Sequence, residues 1–274
     1  MITKAAARTG TLASRHPLIF YFALTYSISW PLWLLSRLTG GTLGTLLLVT
    51  GGFGPAIAAA VTLRRSGGSL SDWARRIVRW RVPVVYYAYA LALPPLIMVV
   101  LNLGLTALGV QPDWSAIAGR MPAYLQTFLL TALVFGGQEE PGWRGFALPR
   151  LQQQHSPLVA TLILGLAWGV WHIPLYGLAG FVVPLVLAFF YTWLYNKTGS
   201  VLLCILLHAS FTPAQDHLLL TDDSPTVDVV LLATYVVAAG VLVLVTRARL
   251  GFRDTETPSQ QSTQRGLLDE QPPE

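Results

Sequence analysis

"VVYYAYALALPPLIMVVLNLGLTAL", residues 84–108, runs without one charged side chain. About 18 consecutive apolar residues already mark a candidate membrane-spanning helix, and this run exceeds that. Segments of the same kind recur on both sides of it. Reading outward, eight helices are expected, over residues 17–38, 43–63, 84–108, 122–137, 157–173, 181–195, 200–211 and 227–246. The fold class that follows is all-α: a polytopic membrane bundle of about eight transmembrane helices.

Composition agrees. The chain has 274 residues, 53% hydrophobic and 11% charged, against about 25% charged in a soluble domain. The basic excess, 18 Lys+Arg over 13 Asp+Glu, does not argue for nucleic acid, because the arginines sit at the ends of apolar runs. Topology explains them there. Lys4, Arg8 and Arg15 precede the first run, which has no small-residue cleavage pattern behind it, so it reads as a retained span. The single cysteine, Cys204, excludes an intrachain disulfide and reads as a small core residue.

The charges between spans fix an orientation. Arg64, Arg65, Arg75, Arg76, Arg79 and Arg81 follow the second span, Arg150 the fourth, Lys197 the sixth, and Arg247, Arg249 and Arg253 the eighth. The intervening connections carry little positive charge, and Asp216, Asp222, Asp223 and Asp228 follow the seventh span. The positive-inside rule then puts both termini in the cytoplasm of a multi-pass plasma-membrane protein. The arginine-over-lysine usage suggests a bacterial source. Residues 1–16 are an N-terminal cytoplasmic segment and 17–248 the bundle. Residues 249–274, rich in Gln, Pro, Ser and Thr, form an expected disordered tail.

"SLSDWARRIVRW", residues 69–80, places Trp73, Ile77 and Trp80 at i, i+4 and i+7 with arginines opposite. That is an amphipathic helix expected to lie on the anionic leaflet. In the acidic connection, Asp216, His217, Asp222 and Asp223 read as solvated residues rather than metal ligands. His16 and His155 read as surface residues.

The polar residues inside apolar runs carry the chemistry. "VFGGQEEPGWRGFALPRLQ", residues 134–152, holds Glu139, Glu140 and Arg144. A charge near a helix centre costs about 2.5–3.5 kcal/mol on insertion scales. A loop just outside the membrane would remove that cost, but "GFALPRLQ" continues the apolar character. Glu140 and Arg144 are i and i+4, so they can pair; Glu139 is rotated off that face and is left free. Pro141 suits the first turn of a helix beginning near Glu140. His172 ends the fifth span and His208 lies inside the seventh, with Trp168 four residues before the one and Thr212 four after the other. Gly165 and Gly169 form a helix-packing pair. Two imidazoles and a spare carboxylate on three spans point to a shared polar site.

"EEPGWRGFALPRLQ", "WGVWHIPL" and "TGSVLLCILLHASF" together resemble the CPBP family of intramembrane proteases, which comprises CAAX prenyl endopeptidases and bacteriocin-processing or immunity proteins. The resemblance covers residues 127–213. It implies an eight-helix bundle with a cavity open to the cytoplasm and a membrane-associated peptide or protein as substrate. It makes Glu139 the general base that, with His172, activates a water. Glu140 and Arg144 become supporting residues, and His208 with Thr212 stabilises the oxyanion. Trp168 stands where Phe is commoner, and Thr212 where Asn or Asp is usual. No HExxH is present, yet Glu139, His172 and His208 are a known type of zinc set. Metal-free and zinc-dependent readings stay open, with the metal-free one preferred and no cofactor assigned. The rival to an enzyme is an immunity or scaffold protein that keeps these motifs as packing.

Overall fold

A computed structural model of the chain describes residues 11–222 and 224–252. Most of the expected N-terminal segment, most of the expected disordered tail, and Asp223 lie outside the described residues. Among the described residues every regular element is helical. After a short turn at Leu12–Arg15 come α1 (Pro17–Thr39), α2 (Gly41–Gly52), α3 (Gly54–Ser66), α4 (Leu70–Ile77), α5 (Val84–Ala107), α6 (Ile117–Leu133), α7 (Pro157–Tyr176), α8 (Val182–Thr198), α9 (Val201–Leu218) and α10 (Pro225–Val245). The chain is an all-α polytopic membrane bundle.

Helices α1, α5, α7 and α10 are each long and apolar enough to cross a membrane, and α2 with α3 form a pair bent by 45° that passes the same test together. Helices α6, α8 and α9 have 17, 17 and 18 residues and do not pass it on their own. The expected second span is therefore broken. Pro55 begins the second half and has no N–H for the carbonyl of Gly51. Ser29 Oγ donates to that carbonyl instead, at 2.8 Å. Pro95 likewise leaves the carbonyl of Leu91 without its helical partner, and Ser210 Oγ donates to it at 3.0 Å. Inside a bilayer a freed backbone group must find such a partner. The seventh span departs from expectation for a related reason: α9 runs through Pro213 to Leu218 rather than stopping near Phe211.

Pairwise contacts give the directions of the rods. Tyr26 donates to the carbonyl of Ala167 at 2.9 Å, Trp30 to that of Trp171 at 3.2 Å, and Arg37 to that of Leu175 at 2.8 Å, so α1 and α7 run parallel. Asn102 Nδ2 reaches the carbonyl of Leu218 at 2.7 Å, and with Ser210 on Leu91 this makes α5 and α9 parallel too.

The bundle therefore has two distinct ends. At one, Ser200 Oγ donates to the carbonyl of Arg79, Asn196 to that of Leu250, and Arg15 shares a surface depression with Arg150. At the other, Asp113 N–H donates to the carbonyl of Leu220, and Arg37 and Arg120 cap the carbonyls of Leu175 and Leu219.

Helix α4 lies at the arginine end with Arg75 outward and paired to Asp72. Its apolar edge does not face lipid alone. Trp73 is half-buried, and its indole N–H donates to the carbonyl of Pro141 at 2.9 Å. Trp80 lies past the end of the helix and is exposed.

Candidate active site

Helix α6 stops at Leu133, before the expected 137, because the chain turns at Gly136, where φ is +149°. That conformation suits glycine. A side-chain carbon there would also stand 2.6 Å from His208 Nε2. Beyond it the chain re-enters helical geometry in single turns: Gly137–Glu139, Glu140–Gly142, a wide π turn at Trp143–Ala147, and Leu148–Leu151. Pro141 occupies a first-turn position, as its missing N–H predicts. Gly142 lies so close to the bend in the second span that a Cβ would stand 2.5 Å from the backbone of Pro55.

This segment is no surface loop. Glu140 and Arg144 are 0% exposed and Glu139 is 6% exposed. Arg144 Nη1 donates to Glu140 Oε1 at 3.0 Å, the i,i+4 pair expected from spacing. The guanidinium also lies 4.2 Å from the ring centroids of both Trp168 and Tyr191. Two aromatic faces and one carboxylate thus compensate a charge removed from water.

Glu139 is not the free acid that spacing alone suggested. Trp168 Nε1–H donates to Glu139 Oε2 at 2.8 Å, leaving Oε1 for another partner. Trp168 also organises both imidazoles. Its ring lies edge-on to His172 at 5.6 Å and to His208 at 5.7 Å between centroids. Its backbone carbonyl receives His172 Nδ1 at 2.9 Å. A carbonyl only accepts, so Nδ1 carries the proton and Nε2 is the nitrogen left for the cavity. His208 Nδ1 donates to Glu140 Oε1 at 2.9 Å, which again leaves Nε2 free.

Glu139, Trp168, His172, His208 and Thr212 line one cavity of about 400 Å³. Glu140 and Arg144 do not line it but bond or pack against His208, Trp168 and Tyr191, which do. Of the remaining candidates, His217 Nε2 bonds Thr127 Oγ1 at 2.9 Å, away from this cavity, while Asp216 lies at its mouth. Trp168 is the residue that sequence reasoning undervalued. A buried indole N–H usually finds an acceptor, and a carboxylate was the unpartnered group at hand. Gly165 and Gly169 pack α7 against Leu185, Ala188 and Phe181, as expected for a close helix contact.

Among the described residues no group of three His, Cys, Asp or Glu side chains is placed to hold a metal ion. Trp168 and Glu140 hold Glu139 Oε2, His172 Nδ1 and His208 Nδ1, and leave Glu139 Oε1 and both Nε2 atoms without a partner. As placed, the three side chains do not form a metal site, and no step below runs through a metal.

A buried glutamate and two histidines thus converge on one cavity inside a helical membrane bundle. Comparison with known proteins specifies the group. Residues 121–212 match the family of type II CAAX prenyl endopeptidase Rce1-like proteins. The chain is also 24% identical over 254 residues to CAAX prenyl protease 2 of Methanococcus maripaludis, an alignment covering 81% of this chain and 92% of that protein. Both likenesses point to the CPBP family of intramembrane proteases.

Proposed function

We propose that the chain hydrolyses a peptide bond of a membrane-associated substrate with a water activated by Glu139 and His172. One observation carries this reading: Glu139 Oε1 and the Nε2 atoms of both histidines are uncommitted, and all three residues line one cavity. Glu139 takes a proton from the water as its oxygen attacks the carbonyl carbon. His172 Nε2 accepts a hydrogen bond from the same water and aligns it. Negative charge develops on the carbonyl oxygen, where His208 and the Thr212 hydroxyl donate hydrogen bonds. Glu139 then returns the proton to the leaving nitrogen as the C–N bond breaks. Arg144 and Glu140 act through His208 and Trp168 and hold the constellation in place.

The relative's name specifies a CAAX prenyl substrate for that protein. For this chain the reading is the wider one, a peptide reached from within or beside the membrane.

The decisive experiment is cleavage profiling in membranes, wild type against Glu139→Gln. Loss of cleavage with unchanged membrane insertion and thermal stability is expected. Unchanged cleavage sinks the proposal, and an unimpaired immunity or scaffolding phenotype in the variant favours the rival reading. Cleavage persists in a strong chelator on this mechanism; loss there, restored by zinc, reverses the metal-free assignment.

A further inference from the structure

The sequence carried two expectations about sidedness: arginines and both termini in the cytoplasm, and a cavity open to the cytoplasm. The structure sets them at opposite ends of the bundle. The three buried site residues Glu139, His172 and His208 are 6%, 8% and 9% exposed. One turn further along α7 the lining residue Tyr176 is 65% exposed, and two turns further along α9 Asp216 is exposed. Exposure thus rises toward the ends of α7 and α9, where Arg37 and Arg120 cap helix carbonyls. Toward the arginine end the motif segment is buried throughout, with Glu140, Trp143, Arg144 and Phe146 all 0% exposed. The lining residues that reach the surface therefore lie at the opposite end.

The charge distribution then decides which end is which. Arg75, Arg79, Arg150, Lys197 and Arg247 all lie at the closed end. The open end has Arg37 and Arg120, each committed to a carbonyl at 2.8 and 2.7 Å, and it carries Asp113, Asp216, Asp222 and Asp228. Positive charge flanking membrane helices is retained in the cytoplasm. We infer that the cavity opens to the non-cytoplasmic face, and that the substrate is a peptide segment of a membrane-anchored protein displayed on that face rather than a cytoplasmic chain end. The substrate class rests on the proteolysis proposed above, whereas the sidedness does not.

The test uses the full chain in intact cells. Cys204 is the only cysteine and is buried, so Cys204→Ala gives a background without thiols. Leu178→Cys reports the open end, where Leu178 is 79% exposed, and Gln153→Cys reports the arginine end, where Gln153 is exposed. A membrane-impermeant maleimide is expected to label Leu178→Cys in intact cells and Gln153→Cys only after permeabilisation. A fluorescent protein that matures only in the cytoplasm, fused to the C-terminus, is expected to be bright. The reverse labelling pattern, or a dark fusion with an active phosphatase in its place, overturns the inference. Membrane-anchored reporters then display one peptide library on either face. Cleavage confined to the outer display supports the substrate class, and cleavage confined to the inner display overturns it. If labelling holds and neither display is cut, the proteolysis reading fails and the sidedness stands.

Discussion

Trp168 Nε1–H donates to Glu139 Oε2 at 2.8 Å, and the same residue's carbonyl receives His172 Nδ1 at 2.9 Å. One tryptophan therefore sets the direction of the acid and the tautomer of the base beside it. Hydrogen bonds to charged groups contribute about 1.5–3 kcal/mol. Trp168→Phe keeps an aromatic ring against Arg144 and both imidazoles but removes the donor. Turnover is expected to fall by about tenfold to a hundredfold, with KM little changed, because Glu139 loses its orientation while the cavity walls stay. Steady-state kinetics on reconstituted protein checks this. An equal rise in KM with no loss of kcat assigns Trp168 to substrate binding instead.

The Arg144 guanidinium has no route to water: it is 0% exposed, paired with Glu140, and held between Trp168 and Tyr191. Breaking such a pair from one side leaves an uncompensated charge and costs about 3–5 kcal/mol. Arg144→Met is expected to lower the thermal midpoint in detergent sharply. Glu140→Gln combined with Arg144→Met removes both charges and is expected to recover part of the loss, a coupling that a double-mutant cycle measures. Additive destabilisation shows that the two residues do not act as a pair.

That pair was legible in the sequence because it is local. Positions i and i+4 meet on any helical turn, and the wide turn at Trp143–Ala147 does not prevent it. The positions of most helices were legible too, since uninterrupted apolar runs leave few alternatives. The break in the second span was marked by "GGFGP", yet its compensation by Ser29 depends on a neighbouring helix and has no local signature. The bond from Trp168 to Glu139 spans 29 residues and two elements, and helical periodicity says nothing about such a contact. The family resemblance gave His208 a place at the oxyanion and left it a candidate zinc ligand, with no partner named on the motif segment. Its Nδ1 instead reaches Glu140, because the motif segment and the first half of α9 lie side by side.

Gly136 joins α6 to the motif at a φ of +149°, and an added Cβ would approach His208 Nε2 to 2.6 Å and Thr131 Cγ2 to 3.0 Å. Gly136→Ala therefore meets two penalties, backbone strain of about 1–3 kcal/mol and displacement of the imidazole. A misplacement of about 1 Å at a reacting centre can reduce rate by about a hundredfold. The variant is expected to insert and to retain helical content by circular dichroism, with activity reduced on that order. Wild-type activity in Gly136→Ala means that the His208 ring is free to move aside without consequence.

Thr212 lies one helical turn beyond His208 and lines the same cavity. Its hydroxyl is the only polar atom its side chain offers, and Val replaces that atom with a methyl of nearly the same shape. If Thr212 donates to the developing oxyanion, the hydrogen bond exists in the transition state and not before. Thr212→Val then lowers kcat by about 10²–10³ without raising KM. Thr212→Asn restores a donor on a longer arm and is expected to retain more activity than the valine variant. Val and Asn variants with equal, near wild-type kcat place the oxyanion elsewhere and leave His208 as the donor on this helix. Stability measured alongside separates the two cases from a packing defect, because neither substitution removes a buried partner from any other residue among the described hydrogen bonds.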